Sequence, residues 1–311
     1  MGRRTVFLTI DLEDYRRQKL RDHRCGSEPA HPYEVERQLE ELLEILDSIN
    51  TRATFLVVGR LAKELAPGVW GEMANRHSIG CHGHEHLSVR TLGPKGFARD
   101  LQDAKAALED SAGRAILTYR APYFDADDCD PWFGEILARV GFVFDSSRRL
   151  RRQPSGFFGA FPLAGSGGAV WEVPLATIGP GRKRLAVIGG TYFRLLPLSL
   201  IVSLMEWSRA RDFRPMVYLH PYDIDSRSLP LDYGRVGHWW PRLGDQLRRS
   251  GRSTTAQKLR ALARIYDFRP IESMLGPDSN LATGLNEMSG VERGQLPSSI
   301  DLDSMVIGSP D

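Results

Sequence analysis

The sequence predicts an α/β fold of the βα-barrel type, on three observations. Short apolar runs of strand length alternate with amphipathic stretches of helical period. Polar residues gather where the apolar runs end, which in a βα barrel is the rim that carries function. Finally, 311 residues with 41% hydrophobic and 26% charged content suit one large domain better than two independent ones.

Taken in order, Thr5-Val6-Phe7-Leu8-Thr9-Ile10 is apolar and β-branched on both faces, as a strand inside a parallel sheet must be, and it ends in Asp11-Leu12-Glu13-Asp14. A polar loop is expected from Arg16 to Pro32. Val35, Leu39, Leu42, Leu43, Leu46 and Ile49 form a helical stripe that stops near Asn50, and Ala53 to Val58 reads as a second strand. Leu61–Leu65 and Val69–Arg76 form short helices. Ser78-Ile79-Gly80 is a third strand, delivering Cys81-His82-Gly83-His84-Glu85-His86. Phe97, Leu101, Ala104 and Leu108 mark a helix stopped at Gly113, and Ile116 to Tyr119 a strand leading into Arg120-Ala121-Pro122-Tyr123. A helix over 131–139 and a strand over 142–144 ending at Asp145 follow. Residues 147–194 are rich in Gly, Pro and Arg, with Trp171-Glu172-Val173 the clearest strand. A helix over 198–211, a strand over 216–219 ending at His220, a polar loop with Trp239-Trp240 and a helix over 255–266 complete the domain. We expect a catalytic domain over 1–272 and a polar, largely disordered tail over 273–311, where apolar density falls.

Bulk properties exclude several classes. A net charge of +2 gives no nucleic-acid footprint, and no run has the eighteen or so apolar residues of a membrane helix. The chain enters its first strand almost at once, without an apolar leader. Three Cys, at 25, 81 and 129, are odd in number and far apart, which argues for a reducing compartment. The expected location is cytoplasmic, with contact at the inner membrane face left open.

Chemistry concentrates at four predicted strand ends. Crowded carboxylates at 11, 13 and 14 repel one another unless a cation or an Arg compensates them. His82 and His86, four residues apart, are spaced to hold one ion. Alone that pair is no more than a His-rich loop, and Gly83 with Glu85 after the third His argues against a zincin helix. Arg120 and His220 complete a set that is far more specific together than apart.

The set resembles the NodB-type polysaccharide deacetylases, carbohydrate esterase family 4. Thr9-Ile10-Asp11-Leu12-Glu13-Asp14 stands at the acidic first motif, His82 to His86 at the His-x-x-x-His second motif, Arg120-Ala121-Pro122-Tyr123 at the third and Leu219-His220 at the last. Asp11-Leu12-Glu13-Asp14-Tyr15, Gly189 to Pro197 and His220-Pro221-Tyr222 are similar to the branch associated with exopolysaccharides and surface glycans. The resemblance implies a distorted (β/α)7 barrel and metal-dependent hydrolysis of an N-acyl group, most often acetyl, on a sugar. It implies one divalent ion, zinc first, with cobalt, nickel or manganese as alternatives, held by His82, His86 and a carboxylate. Leu12 departs from the adjacent aspartates of many relatives. Glu13 is then preferred as the third ligand, because alternation puts it on the face of Asp11, with Asp14 as the alternative. Asp11 is the implied base, Arg120 its partner, His220 the acid, and Tyr123 the source of a backbone N–H for the oxyanion and of a substrate contact. Asp145 is assigned, weakly, to tuning His220. Trp239 and Trp240 are candidates for stacking on sugar faces, and the Arg148–Arg152 and Arg182–Arg184 runs for meeting phosphate or an anionic surface. The substrate is a glycan or its nucleotide- or lipid-linked precursor. A deformylase or allantoinase-like enzyme on the same barrel, or a silent glycan-binding protein, are the alternatives.

Overall fold

A computed structural model describes residues 3–22, 32–126, 131–179, 185–228 and 240–275. The strands are β1 (Arg4–Leu12), β2 (Thr54–Val57), β3 (Ser78–Cys81), β4 (Thr118–Tyr119), β5 (Phe144–Asp145), β6 (Arg149–Leu150), β7 (Phe161–Pro162), β8 (Trp171–Glu172), β9 (Leu175–Ile178), β10 (Leu185–Ala186), β11 (Met216–Leu219) and β12 (Tyr266–Arg269). The helices are α1 (Tyr15–Asp22), α2 (Pro32–Ser48), α3 (Leu61–Glu64), α4 (Pro67–Arg76), α5 (Val89–Ala112), α6 (Trp132–Val140), α7 (Gly190–Leu195), α8 (Leu198–Arg209), α9 (Trp240–Arg249) and α10 (Arg252–Ile265).

Seven strands run parallel in the order β11-β1-β2-β3-β4-β5-β8, with β7 antiparallel on the β8 edge. The sheet curls toward closure, and on its open side the segment after β10 meets β11 in a parallel bridge between Gly189 and Tyr218. This is the expected distorted (β/α)7 arrangement. β1 is its axis: residues Val6 to Ile10 are fully buried, because helices cover the outer face and the barrel interior covers the inner one. Its upper half pairs with β11 and β2, its lower half with β12. The helical stripe of α2 is buried as expected, Leu39, Leu42 and Leu46 completely.

Several expectations are corrected. Residues 16–22 of the expected loop are helical: α1 has no apolar stripe, its Tyr15 ring packs on Tyr222 with centroids 4.8 Å apart, and Gln18 and Arg21 make hydrogen bonds at the barrel mouth. The Gly-, Pro- and Arg-rich region after Ser147, where only Trp171-Glu172-Val173 is singled out as a strand, also contains a small sheet in the order β10-β9-β6 and the short helix α7. Trp240 opens a helix where a loop is expected. β12, directly after α10, is not among the expected strands although Tyr266-Asp267-Phe268-Arg269 alternates apolar and polar; Tyr266 and Phe268 are buried and Arg269 is exposed at the sheet's lower edge. Packed structure continues to Leu275, with Ile271 and Met274 buried. The tail over 276–311, Cys25 and Cys129 lie outside the described residues.

Candidate metal centre and active site

The site is assembled at the C-terminal ends of β1, β3, β4 and β11. β1 carries Asp11 and Glu13 on one face, both buried. β3 ends at Cys81, and the turn after it is set by Gly83 (φ +73°), where a Cβ would sit 3.1 Å from an Asp100 carboxylate oxygen. His86 itself adopts a left-handed φ of +54°, a conformation that costs a non-glycine residue roughly 1 kcal/mol and needs outside support. Support is present. Asp100 of α5 accepts from the His84 N–H (2.8 Å) and the Glu85 N–H (3.4 Å), and Arg21 of α1 donates to the carbonyls of Glu85 (2.8 Å) and His86 (2.9 Å).

This scaffold brings Glu13, His82 and His86 together, with one ligand atom from each lying within 4.8 Å of the others. A Glu13 carboxylate oxygen is 2.6 Å from His86 Nε2. The His82 Nδ1 meets the Arg120 carbonyl at 2.8 Å, so Nδ1 carries the proton and the Nε2 lone pair stays free. Burial pushes the His82 imidazole down to about 4, against the opposing pull of Asp11, so the ring is neutral at physiological pH. Burial would raise the Glu13 carboxyl, but His86 above all, then His220 and His82, outweighs it and holds Glu13 well below the usual carboxylate range. Two imidazoles and a carboxylate form an N2O set, the donor chemistry of zinc and other first-row divalent ions, with room for an exchangeable ligand. Asp14 turns the other way: it accepts from the Arg17 N–H at 3.0 Å and faces the Arg17 guanidinium at 3.4 Å.

Asp11 lies beside this triad against Arg120, whose guanidinium is fully buried and donates to the Asp11 carboxylate at 2.6 Å. Four further contacts fix that guanidinium: the Thr9 hydroxyl (3.0 Å), the Ser146 carbonyl (3.1 Å), the Ser146 hydroxyl (2.9 Å) and Met216 Sδ (3.1 Å). The Phe124 ring lies 5.2 Å away. The Ser147 hydroxyl accepts from the Ala121 N–H at 2.8 Å, so two successive serines after β5 hold the end of β4. Beyond it Tyr123 and Phe124 both have left-handed φ, +63° and +52°. The Tyr123 ring stands edge-on to His86 with centroids 4.9 Å apart, and its hydroxyl accepts from Gln18 at 2.9 Å.

His220 lies across the cleft, Nε2 3.8 Å from Glu13. It opens a 3-10 turn, Pro221–Asp223, and Asp223 closes on it twice: its carboxylate accepts the His220 N–H at 2.8 Å and meets Nδ1 at 3.0 Å. Arg194 of α7 pairs with the same carboxylate at 2.9 Å. Burial alone would lower the His220 imidazole, but Asp223 outweighs it and the pKa rises.

Asp223 is the residue that sequence reasoning missed, and it corrects the assignment of Asp145. Asp145 accepts from Ser147 and pairs with Glu172, a buried carboxyl that burial and Asp145 itself push far above its usual value; His220 is held by Asp223 instead. A signal was available, since Asp223 follows His220 by three residues with Pro between, the spacing of a capping box. Thr9, Ser146 and Asp100 also escaped notice. Trp239 and the Trp240 side chain lie outside the described residues, as does the Arg182–Arg184 run. No described helix is long and apolar enough to cross a membrane.

Comparison with known proteins agrees with this geometry. A protein of Mycobacterium smegmatis provisionally named a polysaccharide deacetylase shares 18% identity over 92% of this chain and 91% of its own, with a TM-score of 0.53, which shows the fold. Also similar are a carbohydrate esterase family 4 pseudoenzyme from Bacillus anthracis (13% identity, 88% and 66% covered, TM-score 0.46) and a peptidoglycan N-acetylglucosamine deacetylase (13%, 87% of both, 0.46). Residues 149–276 match a domain of unknown function, DUF3473. Residues 3–129, which hold Asp11, Glu13, His82, His86 and Arg120, match the polysaccharide deacetylase family, so this part of the chain is a polysaccharide deacetylase domain of the NodB type, a domain of hydrolases of non-peptide carbon–nitrogen bonds.

Proposed function

We propose that the chain is a metal-dependent sugar N-deacylase, most often a deacetylase, acting in the cytoplasm on a glycan or its precursor. One observation carries this reading: a buried two-His, one-carboxylate triad is flanked on one side by a carboxylate locked to an arginine and on the other by a carboxylate-backed imidazole. Glycan binding alone would need neither. A divalent ion held by Glu13, His82 and His86, zinc by preference, would polarise the acyl oxygen and bring the pKa of water toward about 7.

The chain's own residues then divide the proton work. Asp11 accepts the proton from the attacking water, and Arg120 fixes the orientation of that carboxylate. The water oxygen bonds to the acyl carbon as the C–N bond breaks. His220 donates to the departing nitrogen, with Nδ1 anchored on Asp223 so that Nε2 faces the cleft. The Tyr123 N–H, presented by the left-handed turn, offers a donor to the oxyanion, and the Tyr123 ring borders the substrate. Products are a carboxylate and a free amino sugar.

The test is release of acetate, and separately formate, from a panel of N-acylated sugars by zinc-loaded protein. His82→Ala is expected to bind no ion in an equilibrium-dialysis assay and to be inactive. Asp11→Asn is expected to keep the ion and lose about a thousandfold or more of the rate, a general base being worth about 10²–10⁴. Full ion retention in His82→Ala, or an active Asp11→Asn enzyme, refutes the site as drawn. Formate as the only product would favour the deformylase alternative.

A further inference from the structure

Ten large apolar side chains are exposed among the described residues, and most of them emerge at the mouth that holds the triad. β9 leaves the sheet beyond the end of β8: the Val173 N–H still bonds the Asp145 carbonyl, and the Leu175 N–H already bonds that of Arg148. β10 returns antiparallel with Leu185 opposite Ile178, and the chain then descends beside Tyr218 of β11. That pair is therefore the part of the described hairpin farthest from the sheet, and its members are 37% and 44% exposed.

Helix α9 presents a second apolar edge in an unusual sense. Its polar side is turned inward, with Asp245 buried and Arg248 donating to the Tyr15 hydroxyl at 3.0 Å, just past the end of β1. Leu243 and Leu247, four apart and so on one face, are 37% and 50% exposed. Leu195, 48% exposed, follows Arg194, whose carbonyl oxygen lies 2.7 Å from where a Cβ on Gly251 would sit, just past the end of α9. α8 runs away from the mouth to the barrel floor, where Arg209 donates to the Thr5 carbonyl, so exposed Leu200 in its first turn also lies at the mouth.

Basic groups accompany these leucines. Arg151 and Arg152 are exposed just after β6, and Arg249 ends α9. α9 carries Arg242, Arg248 and Arg249 against one acid, Asp245, in a chain whose net charge is +2. Apolar side chains from the β9–β10 hairpin, α7, α8 and α9, set beside guanidinium groups, match an interface where leucines enter the acyl boundary and arginines meet phosphate.

We infer that this mouth docks on an anionic lipid bilayer through the β9–β10 hairpin, α7, the first turn of α8, and α9. Docked so, the cleft opens toward the headgroup layer and takes a lipid-borne sugar. That consequence rests on the proposed deacylase activity; the docking does not.

The test is co-sedimentation of the full zinc-loaded chain with vesicles of phosphatidylcholine containing about one third phosphatidylglycerol, against phosphatidylcholine alone. Binding is expected to be at least about tenfold tighter on the anionic vesicles and to weaken with added salt. The Leu243→Ser/Leu247→Ser double variant, with folding checked by circular dichroism, should lose about tenfold in vesicle affinity. Ile265→Ser, an equally exposed residue at the barrel floor, should lose nothing, and Asp11→Asn should bind as wild type whether or not the catalytic reading holds. Absence of binding, equal binding to neutral vesicles, or an equal loss in Ile265→Ser overturns the docking surface. So does concentration-dependent self-association in vesicle-free sedimentation velocity that the leucine variant abolishes, which would assign the surface to a second copy of the chain.

Discussion

Arg120 is the residue on which the base side of the centre depends, and its position is fixed less by Asp11 than by a neighbour with no chemistry of its own. Ser146 takes two of its five contacts, one through the carbonyl and one through the hydroxyl, and passes a hydrogen bond on to the Val173 carbonyl at 2.8 Å. Removing that hydroxyl leaves a buried guanidinium arm facing only Met216 Sδ, a weak acceptor. Ser146→Ala is therefore expected to lower kcat about tenfold, the equivalent of about 1.4 kcal/mol. KM and zinc stoichiometry should stay nearly unchanged, since neither ligands nor cleft are touched. Equal losses in KM and kcat, or loss of the ion, would mean that the serine only holds the fold. At this scale the sequence was legible where a side chain has few uses, as with His82, His86 and Arg120. It was illegible where a hydroxyl or a short-range carboxylate serves by position alone: Ser146 and Thr9 look like any strand serine or threonine. Asp145 drew attention because it ends a strand, yet the imidazole it was assigned to is served by Asp223.

The strand-to-helix loop after β3 shows the same dependence one level up. His86 is held at positive φ by partners from two helices, Asp100 of α5 below the loop and Arg21 of α1 above it. Asp100 is expected to act on the ion without touching it. Asp100→Ala removes the acceptor for two loop N–H groups, and weakening of zinc affinity by about 10- to 100-fold in a chelator-competition titration is the expected result, as for other outer-shell ligand supports. Asp100→Asn, which retains a carbonyl oxygen, should lie between; a variant with wild-type affinity would show that the loop is fixed without α5. Among elements, the long amphipathic helices α2 and α5 and the buried strands β1, β2 and β11 follow from their periods, because burial on one stripe or both faces leaves a strong pattern. α1 leaves none, since beyond the Tyr15 ring its contacts are hydrogen bonds and ion pairs, to backbone carbonyls, Tyr123 and Glu64. β6, β9 and β10 are two to four residues long and half-exposed, too short for alternation to register. Register of the sheet itself, including the opening between β8 and β11, depends on contacts between segments far apart in sequence and was inferred only through the family resemblance.

Seen whole, the molecule separates its chemistry from its closure. The metal-binding triad, Asp11 and His220 lie at the C-terminal ends of the strands; the opposite end is sealed by the last packed segment, Ile271–Leu275. There the Glu272 carboxylate accepts from the Thr54 hydroxyl at 2.6 Å and from the Thr118 hydroxyl, tying the first residues of β2 and β4 together, while the Thr54 hydroxyl accepts the Ile271 N–H at 2.9 Å. Both threonines are fully buried, so the carboxylate is the acceptor that offsets the cost of placing their hydroxyls in the barrel floor. Glu272→Ala removes two charge-assisted hydrogen bonds and strands two buried hydroxyls. The expected loss is about 3 kcal/mol of unfolding free energy, read as a lowered urea midpoint at unchanged m-value. Because the variant acts at the far end of the strands, its zinc affinity and the kcat of the folded protein should match wild type at temperatures well below its melting point. A change in zinc affinity with little change in stability would mean that floor and mouth are coupled through β2 and β3, and that the C-terminal segment belongs to the active site rather than beneath it.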